Sequence, residues 1–155
     1  MNTVPARFKG EYDRIRHILL ADDDIDDCFF FGAALKELAV EAKLTCVHDG
    51  EKLMKYLHEN VLPDIVFLDL NMPRKNGLEC LKEIQQNSRL KTLVVIAIST
   101  SSSPEAVKEL FDNGVLHFIR KPNEFSDLKE AIVSALSLWT PGGRYPPVNN
   151  PLLSN

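Results

Sequence analysis

The chain has 155 residues and a formal net charge of −4, with 45% hydrophobic and 26% charged residues. This size and composition suit one ordinary globular domain, and the weak negative charge gives no electrostatic footprint for nucleic acid. The longest apolar runs, of about six residues, are too short to span a bilayer. The polar start of the chain has no signal-peptide core. We therefore expect a cytoplasmic protein with no membrane association and no direct DNA binding.

Cysteine and histidine spacing gives no sign of a zinc site or a disulfide framework. Cys28, Cys46 and Cys80 are odd in number, far apart and without CxxC spacing. The four histidines form no metal-ligand spacing. We expect three free thiols and no bound zinc.

Strand-like and helix-like segments alternate along the chain. An N-terminal arm, 1–16, precedes the first strand, and a Pro/Gly/Asn-rich C-terminal tail, 140–155, follows the last helix, which leaves one domain at 17–139. Apolar patterning predicts five strands, at 17–21, 43–47, 65–69, 93–98 and 117–120. Amphipathic spacing predicts five helices, at 26–40, 51–59, 78–87, 104–113 and 124–139. Five successive βα units indicate right-handed crossovers and a doubly wound α/β sheet.

Helix boundary signals support this assignment. Asp24 and Asp26 suit caps before the first helix. Ser103 followed by Pro104 predicts the start of the fourth helix. Asn113-Gly114 predicts its end.

Polar side chains stand where four of the predicted strands end. Asp22 and Asp23 follow the first strand, Asp69 closes the third, Ser99 follows the fourth and Lys121 follows the fifth. Because the carboxyl ends of parallel strands meet at one edge of a sheet, we expect these side chains to converge there. Closely packed acids repel one another unless a cation or protons neutralise them, and Mg²⁺ prefers a few carboxylates plus waters and phosphate oxygens. The set therefore suits a divalent cation and a phosphoryl group.

Together these motifs resemble the receiver domain of two-component response regulators. The resemblance covers about 17–139 and implies a (βα)5 flavodoxin-like fold, a parallel sheet of order 2-1-3-4-5, in a stand-alone receiver. The motifs that carry it are Ile18–Asp24, Asp69, Met72-Pro73, Gly77, Ser99 and Lys121-Pro122.

The resemblance also implies a role for each site residue. Asp69 is expected to be the phosphoacceptor, which takes a phosphoryl group from a histidine kinase or phosphotransfer protein. Mg²⁺ is expected to be held by Asp22, Asp23, Asp69 and the backbone carbonyl of Asn71. Signalling then proceeds by contact with a downstream protein target or by phosphorelay, without enzymatic turnover.

Two further residues are expected to respond to the phosphoryl group. Ser99 donates its hydroxyl to a phosphoryl oxygen, and Lys121 pairs first with Asp69 and then with the phosphate. Phe118 occupies the position of the family's switch aromatic, so Ser99 and Phe118 are the expected switch pair.

A run of three phenylalanines marks the first predicted helix. Successive helix positions turn by about 100°, so Phe29, Phe30 and Phe31 cannot all face the sheet. We expect Phe31 to be buried, Phe30 to lie at the seam with the last helix, and Phe29 to point outward at a partner surface. Burial of Phe29 under the N-terminal arm is the alternative.

Two other functions fit parts of the sequence. A haloacid-dehalogenase-like phosphatase would use Asp22 and Asp24 as its Asp-x-Asp motif, but it leaves Asp69 and the loop after it unexplained. A flavin- or nucleotide-binding module could use the same fold, but the chain has no Gly-rich phosphate loop.

Overall fold

Strands and helices alternate throughout the computed structural model, which describes residues 14–100 and 103–140. The strands are β1 His17–Ala21, β2 Lys43–Val47, β3 Ile65–Asp69, β4 Val94–Ser99 and β5 His117–Arg120. The helices are α1 Ile25–Glu37, α2 Gly50–Glu59, α3 Gly77–Gln86, α4 Pro104–Asp112 and α5 Phe125–Ser137, with a short 3₁₀ helix at Leu90–Thr92. Most of the predicted arm and nearly all of the tail lie outside the described residues, so the arm and tail boundaries stay predictions.

The five strands form one parallel sheet in the order β2-β1-β3-β4-β5, which confirms the expected doubly wound topology. Four strands have the predicted bounds, whereas β4 begins and ends one residue later than expected. Ser99 pairs in register with Arg120 and is therefore the last residue of β4, not the residue after it.

The helices cover both faces of the sheet. One apolar cluster packs α1 and α5 against the first face. The other packs α2, α3 and α4 against the opposite face. Strands covered on both faces explain the continuously apolar runs of β3 and β4. In the part of the chain that the structure describes, no helix combines the length and apolar content that crossing a membrane would need.

Helix ends follow the capping signals with small corrections. Asp24 is the cap of α1 and its side chain accepts a hydrogen bond from Asp26 N–H, so Asp26 lies in the first turn and is not itself a cap. Ser103 caps α4 as predicted, since its hydroxyl accepts from Ala106 N–H. Gly114 follows α4 with a φ of +92°, a conformation that favours glycine.

Two helices end two or more residues earlier than the apolar pattern predicted. Helix α1 ends at Glu37, because Ala39 adopts a left-handed φ of +59° and reverses the chain. Leu38 and Val40 stay buried although they lie beyond the helix. Trp139 lies past the end of α5, where its indole N–H donates to the carbonyl of Asp64 at 3.1 Å.

The expectation of three free thiols is wrong for two of them. Cys28 on α1 and Cys46 on β2 form a disulfide, with their Cα atoms 6.5 Å apart. Helix α1 lies across the sheet face to which Cys46 belongs, and this packing brings together residues that sequence spacing left unrelated. Cys80 is free and buried.

Candidate functional site

The predicted polar residues converge at the carboxyl edge of the sheet. Asp22 follows β1, Asp69 and Ser99 are the last residues of β3 and β4, and Lys121 follows β5. Asp22, Asp69 and Ser99 are only 1–2% exposed. Since carboxylates are rarely this buried without a partner or a cation, their placement indicates a site built for charge.

Strand β2 helps to position the first of these acids. The backbone N–H of Asp22 donates to the carbonyl of Val47 at 3.0 Å. The ring of His48 donates through Nδ1 to the carbonyl of Asp22 at 2.9 Å. These bonds fix the position of the Asp22 backbone where it leaves β1.

Three acids form a compact cluster, which we call the acid triad: Asp22, Asp23 and Asp69. Each offers one carboxylate oxygen, and these oxygens lie within 4.8 Å of one another. Asp22 and Asp69 are buried, whereas Asp23 is exposed. Several hard oxygen donors with an open side suit a cation such as Mg²⁺, which keeps part of its water shell.

Burial disfavours the charged form of the two buried acids of the triad. Burial raises the pKa of Asp22 to about 7, although the N–H of Asp24 donates to its Oδ1 at 2.9 Å and opposes the shift. Burial also raises the pKa of Asp69, against a 3.0 Å hydrogen bond from Asn71 N–H to its Oδ1 and the nearby charge of Lys121. The positive charge that the protein itself provides near Asp22 and Asp69 does not fully offset the burial of their carboxylates. A bound cation would provide the missing positive charge.

The Lys121 ammonium lies among three carboxylates. Its Nζ is 3.3 Å from Asp22 Oδ2 and 3.5 Å from Asp69 Oδ2, and the second contact is the pairing that the family resemblance implies. The nearest oxygen is Asp27 Oδ2, at 2.7 Å. Burial lowers the pKa of Lys121, but the hydrogen bond to Asp27 and the charges of the two buried acids outweigh it, so the pKa is raised.

Asp27 is a site residue that the sequence reasoning missed. It lies in the first turn of α1, where an acid is ordinary because it suits the helix dipole. The available signal was its place one turn beyond Asp23 and Asp24, on the helix that begins at the site.

The loop after β3 is folded tightly against the phosphoacceptor candidate. A Cβ placed on Gly77 would lie 2.6 Å from the carbonyl oxygen of Asp69 and 2.7 Å from the Cα of Leu70. Asn76 and Glu79 form a reciprocal capping box that starts α3 at this point. The glycine in the sequence motif therefore allows the backbone of α3 to approach Asp69 directly.

The three phenylalanines of α1 take the predicted orientations. Phe31 is buried and its ring lies 4.9 Å from that of Phe67. Phe30 contacts Phe125 of α5 at a centroid distance of 6.5 Å. Phe29 is 70% exposed, so its side chain is free of the core.

Two predicted residues remain: Phe118, the expected switch aromatic of a receiver domain, and Asp24, which the alternative phosphatase hypothesis needs. Phe118 is half-buried against the second apolar cluster and pairs in register with Ala97, two residues before Ser99 on the neighbouring strand. Asp24 is occupied as a helix cap, and the acids that converge with Asp22 are Asp23 and Asp69. No finding favours the phosphatase that would use Asp22 and Asp24.

Comparison with known proteins agrees with this geometry. A family model described as the response regulator receiver domain matches residues 18–133. The chain is 30% identical to Response regulator Rcp1 of Synechocystis sp., over 79% of this chain and 87% of Rcp1. It is also 30% identical to the probable methanogenesis regulatory protein FilR2 of Methanothrix harundinacea, over 83% of this chain and 86% of FilR2.

Solved structures show the same relationship. The Mn²⁺-bound form of Rcp1 superposes with a TM-score of 0.74 at 28% identity, covering 85% of this chain and 99% of that one. The phosphorylated cyanobacterial phytochrome response regulator RcpA also gives a TM-score of 0.74, at 30% identity, covering 81% of this chain and 94% of that one.

Family, fold and site therefore point the same way. Receiver domains are generally signalling proteins that partner with histidine kinases or phosphotransfer proteins, and their acidic pocket binds Mg²⁺ or Mn²⁺. The acid triad stands at the corresponding edge of this sheet. The match to the family model spans most of the chain, and the chain belongs to the response regulator receiver domain family.

Proposed function

We propose that Asp69 accepts a phosphoryl group from a phosphohistidine on a histidine kinase or phosphotransfer protein. The observation that carries this proposal is the setting of its carboxylate. Asn71 N–H holds Oδ1 at 3.0 Å, while Oδ2 faces the Lys121 ammonium at 3.5 Å. One carboxylate oxygen is thereby oriented by the backbone and the other lies beside a positive charge.

The transfer requires positioning and charge neutralisation more than covalent chemistry from the protein. A carboxylate oxygen of Asp69 attacks phosphorus, a P–O bond forms, the P–N bond to the donor's imidazole breaks, and the imidazole leaves with the electron pair. Lys121 offsets charge on the phosphoryl oxygens, and the Ser99 hydroxyl donates to one of them. Ser99 and Phe118 then act as the switch pair.

The acid triad is the proposed Mg²⁺ site, with the backbone carbonyl of Asn71 as a further ligand. Its clustered carboxylates, which have too little positive charge around them to offset their burial, fit this ion. When bound, Mg²⁺ supplies positive charge that offsets the carboxylates and the transferring phosphoryl group.

Labelling with a small acyl phosphate tests the phosphoacceptor. In the presence of Mg²⁺, intact-mass measurement should show one added phosphoryl group, and chelation of the metal should abolish the addition. Asp69→Asn should remove labelling, because the amide lacks a nucleophilic oxygen of comparable strength. Asp112→Asn, a matched change on the exposed end of α4, should label normally. Undiminished labelling of Asp69→Asn would place the phosphoacceptor elsewhere.

Helix α1 is the proposed docking surface for the phosphodonor. Ile25, Phe29 and Phe30 are exposed large apolar residues on this one helix, with exposed fractions of 71%, 70% and 49%. Aromatic side chains are favoured at the cores of protein interfaces, and this group lies on the helix that begins at the acid triad. A partner seated here would bring its phosphohistidine to Asp69.

Phosphotransfer from the cognate kinase tests this surface. Phe29→Ala should slow transfer about tenfold or more, as truncation of an aromatic interface anchor does, while labelling by acyl phosphate stays unchanged. Val61→Ala is the control, since Val61 is 87% exposed and precedes β3 at the opposite edge of the sheet. Equal transfer rates for the two variants would remove Phe29 from the interface.

The proposed domain bounds, location and output of the protein rest on the same role of Asp69. The receiver occupies 17–139, flanked by the arm 1–16 and the tail 140–155, and works in the cytoplasm. Its output is a contact with a downstream protein or a phosphorelay step, without DNA binding and without catalytic turnover of its own. Steady hydrolysis of a phosphomonoester by the purified protein would contradict this reading.

A further inference from the structure

Lys121 has a closer partner than either buried acid. Its Nζ lies 2.7 Å from Asp27 Oδ2, against 3.3 Å for Asp22 and 3.5 Å for Asp69. Only the first of these distances is that of a good charge-assisted hydrogen bond. In this state the ammonium is therefore directed mainly at α1 and only secondarily at the phosphoacceptor candidate.

Asp27 stands apart from the proposed metal ligands. It is not a member of the acid triad, and its side chain is 33% exposed, beside a Lys121 side chain that is 24% exposed. Because both side chains keep some contact with water, this ion pair is weaker than a fully buried one and can be exchanged for a stronger one.

There is also space for the ammonium to move. A cavity of about 370 Å³ lies between α1 and α5 and is bordered by both Asp27 and Lys121. Lysine carries its charge on a flexible four-carbon stem. Its Nζ is already 3.5 Å from Asp69 Oδ2, so a small movement of this side chain exchanges the contact with Asp27 for one with a phosphoryl oxygen on Asp69.

We propose that Asp27 is a positioning residue that holds Lys121 in the unphosphorylated protein and releases it when a phosphoryl group occupies Asp69. The proposal rests on the proposed role of Asp69 and adds a residue to it. A phosphoryl group brings more negative charge than one carboxylate and three acceptor oxygens, so it outcompetes Asp27 for the ammonium. Asp27 thereby favours the unphosphorylated state.

Beryllofluoride, a mimic of the aspartyl phosphate, tests the competition at equilibrium. Its affinity in the presence of Mg²⁺ would be measured by fluorine NMR for the wild type, Asp27→Asn and Asp27→Ala. Both variants should bind the mimic about two- to fivefold more tightly, the size of a partly exposed ion pair. Asp26→Asn is the matched control, since it removes the same charge from the same helical turn and Lys121 is not paired with Asp26 among the described residues.

A double-mutant cycle separates the ion pair from simple charge removal. With Lys121→Ala as background, Asp27→Asn should lose most of its effect on mimic affinity. The free energy of unfolding of each variant, measured by denaturant titration, shows whether a change in affinity merely follows a change in stability.

Four outcomes would overturn the inference about Asp27. They are weaker mimic binding by Asp27→Asn, binding equal to that of Asp26→Asn, an effect that persists undiminished without Lys121, and a change in affinity that only parallels stability. A wild-type protein that takes up no beryllofluoride would overturn the proposed function of Asp69 together with this inference, so the two failures are distinguishable.

Discussion

At the scale of single residues, the site is defined by carboxylates held where water cannot fully hydrate them. Asp22 and Asp69 are almost completely buried, yet Lys121 is the one cation paired with them among the described residues. Each acid is kept in place by a backbone N–H that donates to its Oδ1. The protein therefore maintains an arrangement that costs stability, which is typical of functional sites.

This cost gives a pH dependence for the metal-free protein. The pKa of Asp22 is about 7 in the fold, against an ordinary value of 3.8. Between these values the folded state binds more protons than the unfolded chain, so the free energy of unfolding falls as pH rises through the window. The stabilisation is complete below the lower value and lost above the upper one.

Asp22→Asn should remove the part of this dependence that Asp22 contributes, while the part from Asp69, whose pKa burial also raises, remains. With divalent cations chelated, the variant should be more stable than the wild type by about 1–2 kcal/mol above neutral pH, less than the roughly 4 kcal/mol of the full shift because water that enters the site screens the charge. The difference should vanish in acid. Asp23→Asn should gain less, since its carboxylate is exposed. Urea titration across pH provides the measurement, and a destabilised Asp22→Asn above neutral pH would contradict a repulsive acid cluster.

At the scale of elements, the ends of helices and strands place the site more than their interiors do. Asp24 caps α1 directly after the acids of β1. Asn76 caps α3 only a few residues after Asp69. Gly77 lets that helix begin against the backbone of β3. Two capping residues and one glycine therefore determine the geometry of the loops at the site.

Gly77→Ala should show how much this close approach matters. The added Cβ would lie 2.6 Å from a backbone oxygen, so the variant should lose about 1–3 kcal/mol and bind beryllofluoride more weakly. Gly32→Ala is the matched control in α1, where the new Cβ meets only Leu44 at an ordinary 3.5 Å. That variant should gain about 0.5–1 kcal/mol from helix propensity. Thermal denaturation would measure both, and equal stabilities would remove the backbone contact as the reason for glycine.

The sequence predicted those features that depend on local pattern. Apolar runs and caps located the five strands and the five α-helices to within a few residues but not the 3₁₀ helix at Leu90–Thr92, and topology alone brought Asp22, Asp69 and Lys121 to one edge of the sheet. The contact between Asp27 and Lys121 depends on the rotation of α1 and the path of a long side chain. The disulfide of Cys28 likewise depends on how α1 packs across the sheet. Periodicity does not specify either packing.

At the scale of the whole molecule, the sheet links the acid site to two separate surfaces. Helices α1 and α5 cover one face, and the other face carries α4 and the partly buried ring of Phe118. Ser99 stands between them, as the last residue of β4 in register with Arg120 of β5. The backbone N–H of Lys121 also donates to the Ser99 carbonyl at 2.8 Å. A movement of the Ser99 backbone would therefore affect both the acid site and the face that carries α4 and Phe118.

Ser99 should consequently control the response to a phosphoryl group. Ser99→Ala removes a donor to the phosphoryl oxygen, a charge-assisted hydrogen bond of about 1.5–3 kcal/mol, and should weaken beryllofluoride binding at least about tenfold. Ser99→Thr keeps the hydroxyl and should bind the mimic nearly as the wild type does.

Structures with and without the mimic should show movement of the segment after Ser99, of which residues 101–102 lie outside the described chain. The ring of Phe118 is already half-buried and should move less. An unmoved segment in the mimic-bound wild type, or equal affinities for the alanine and threonine variants, would rule out Ser99 as the switch.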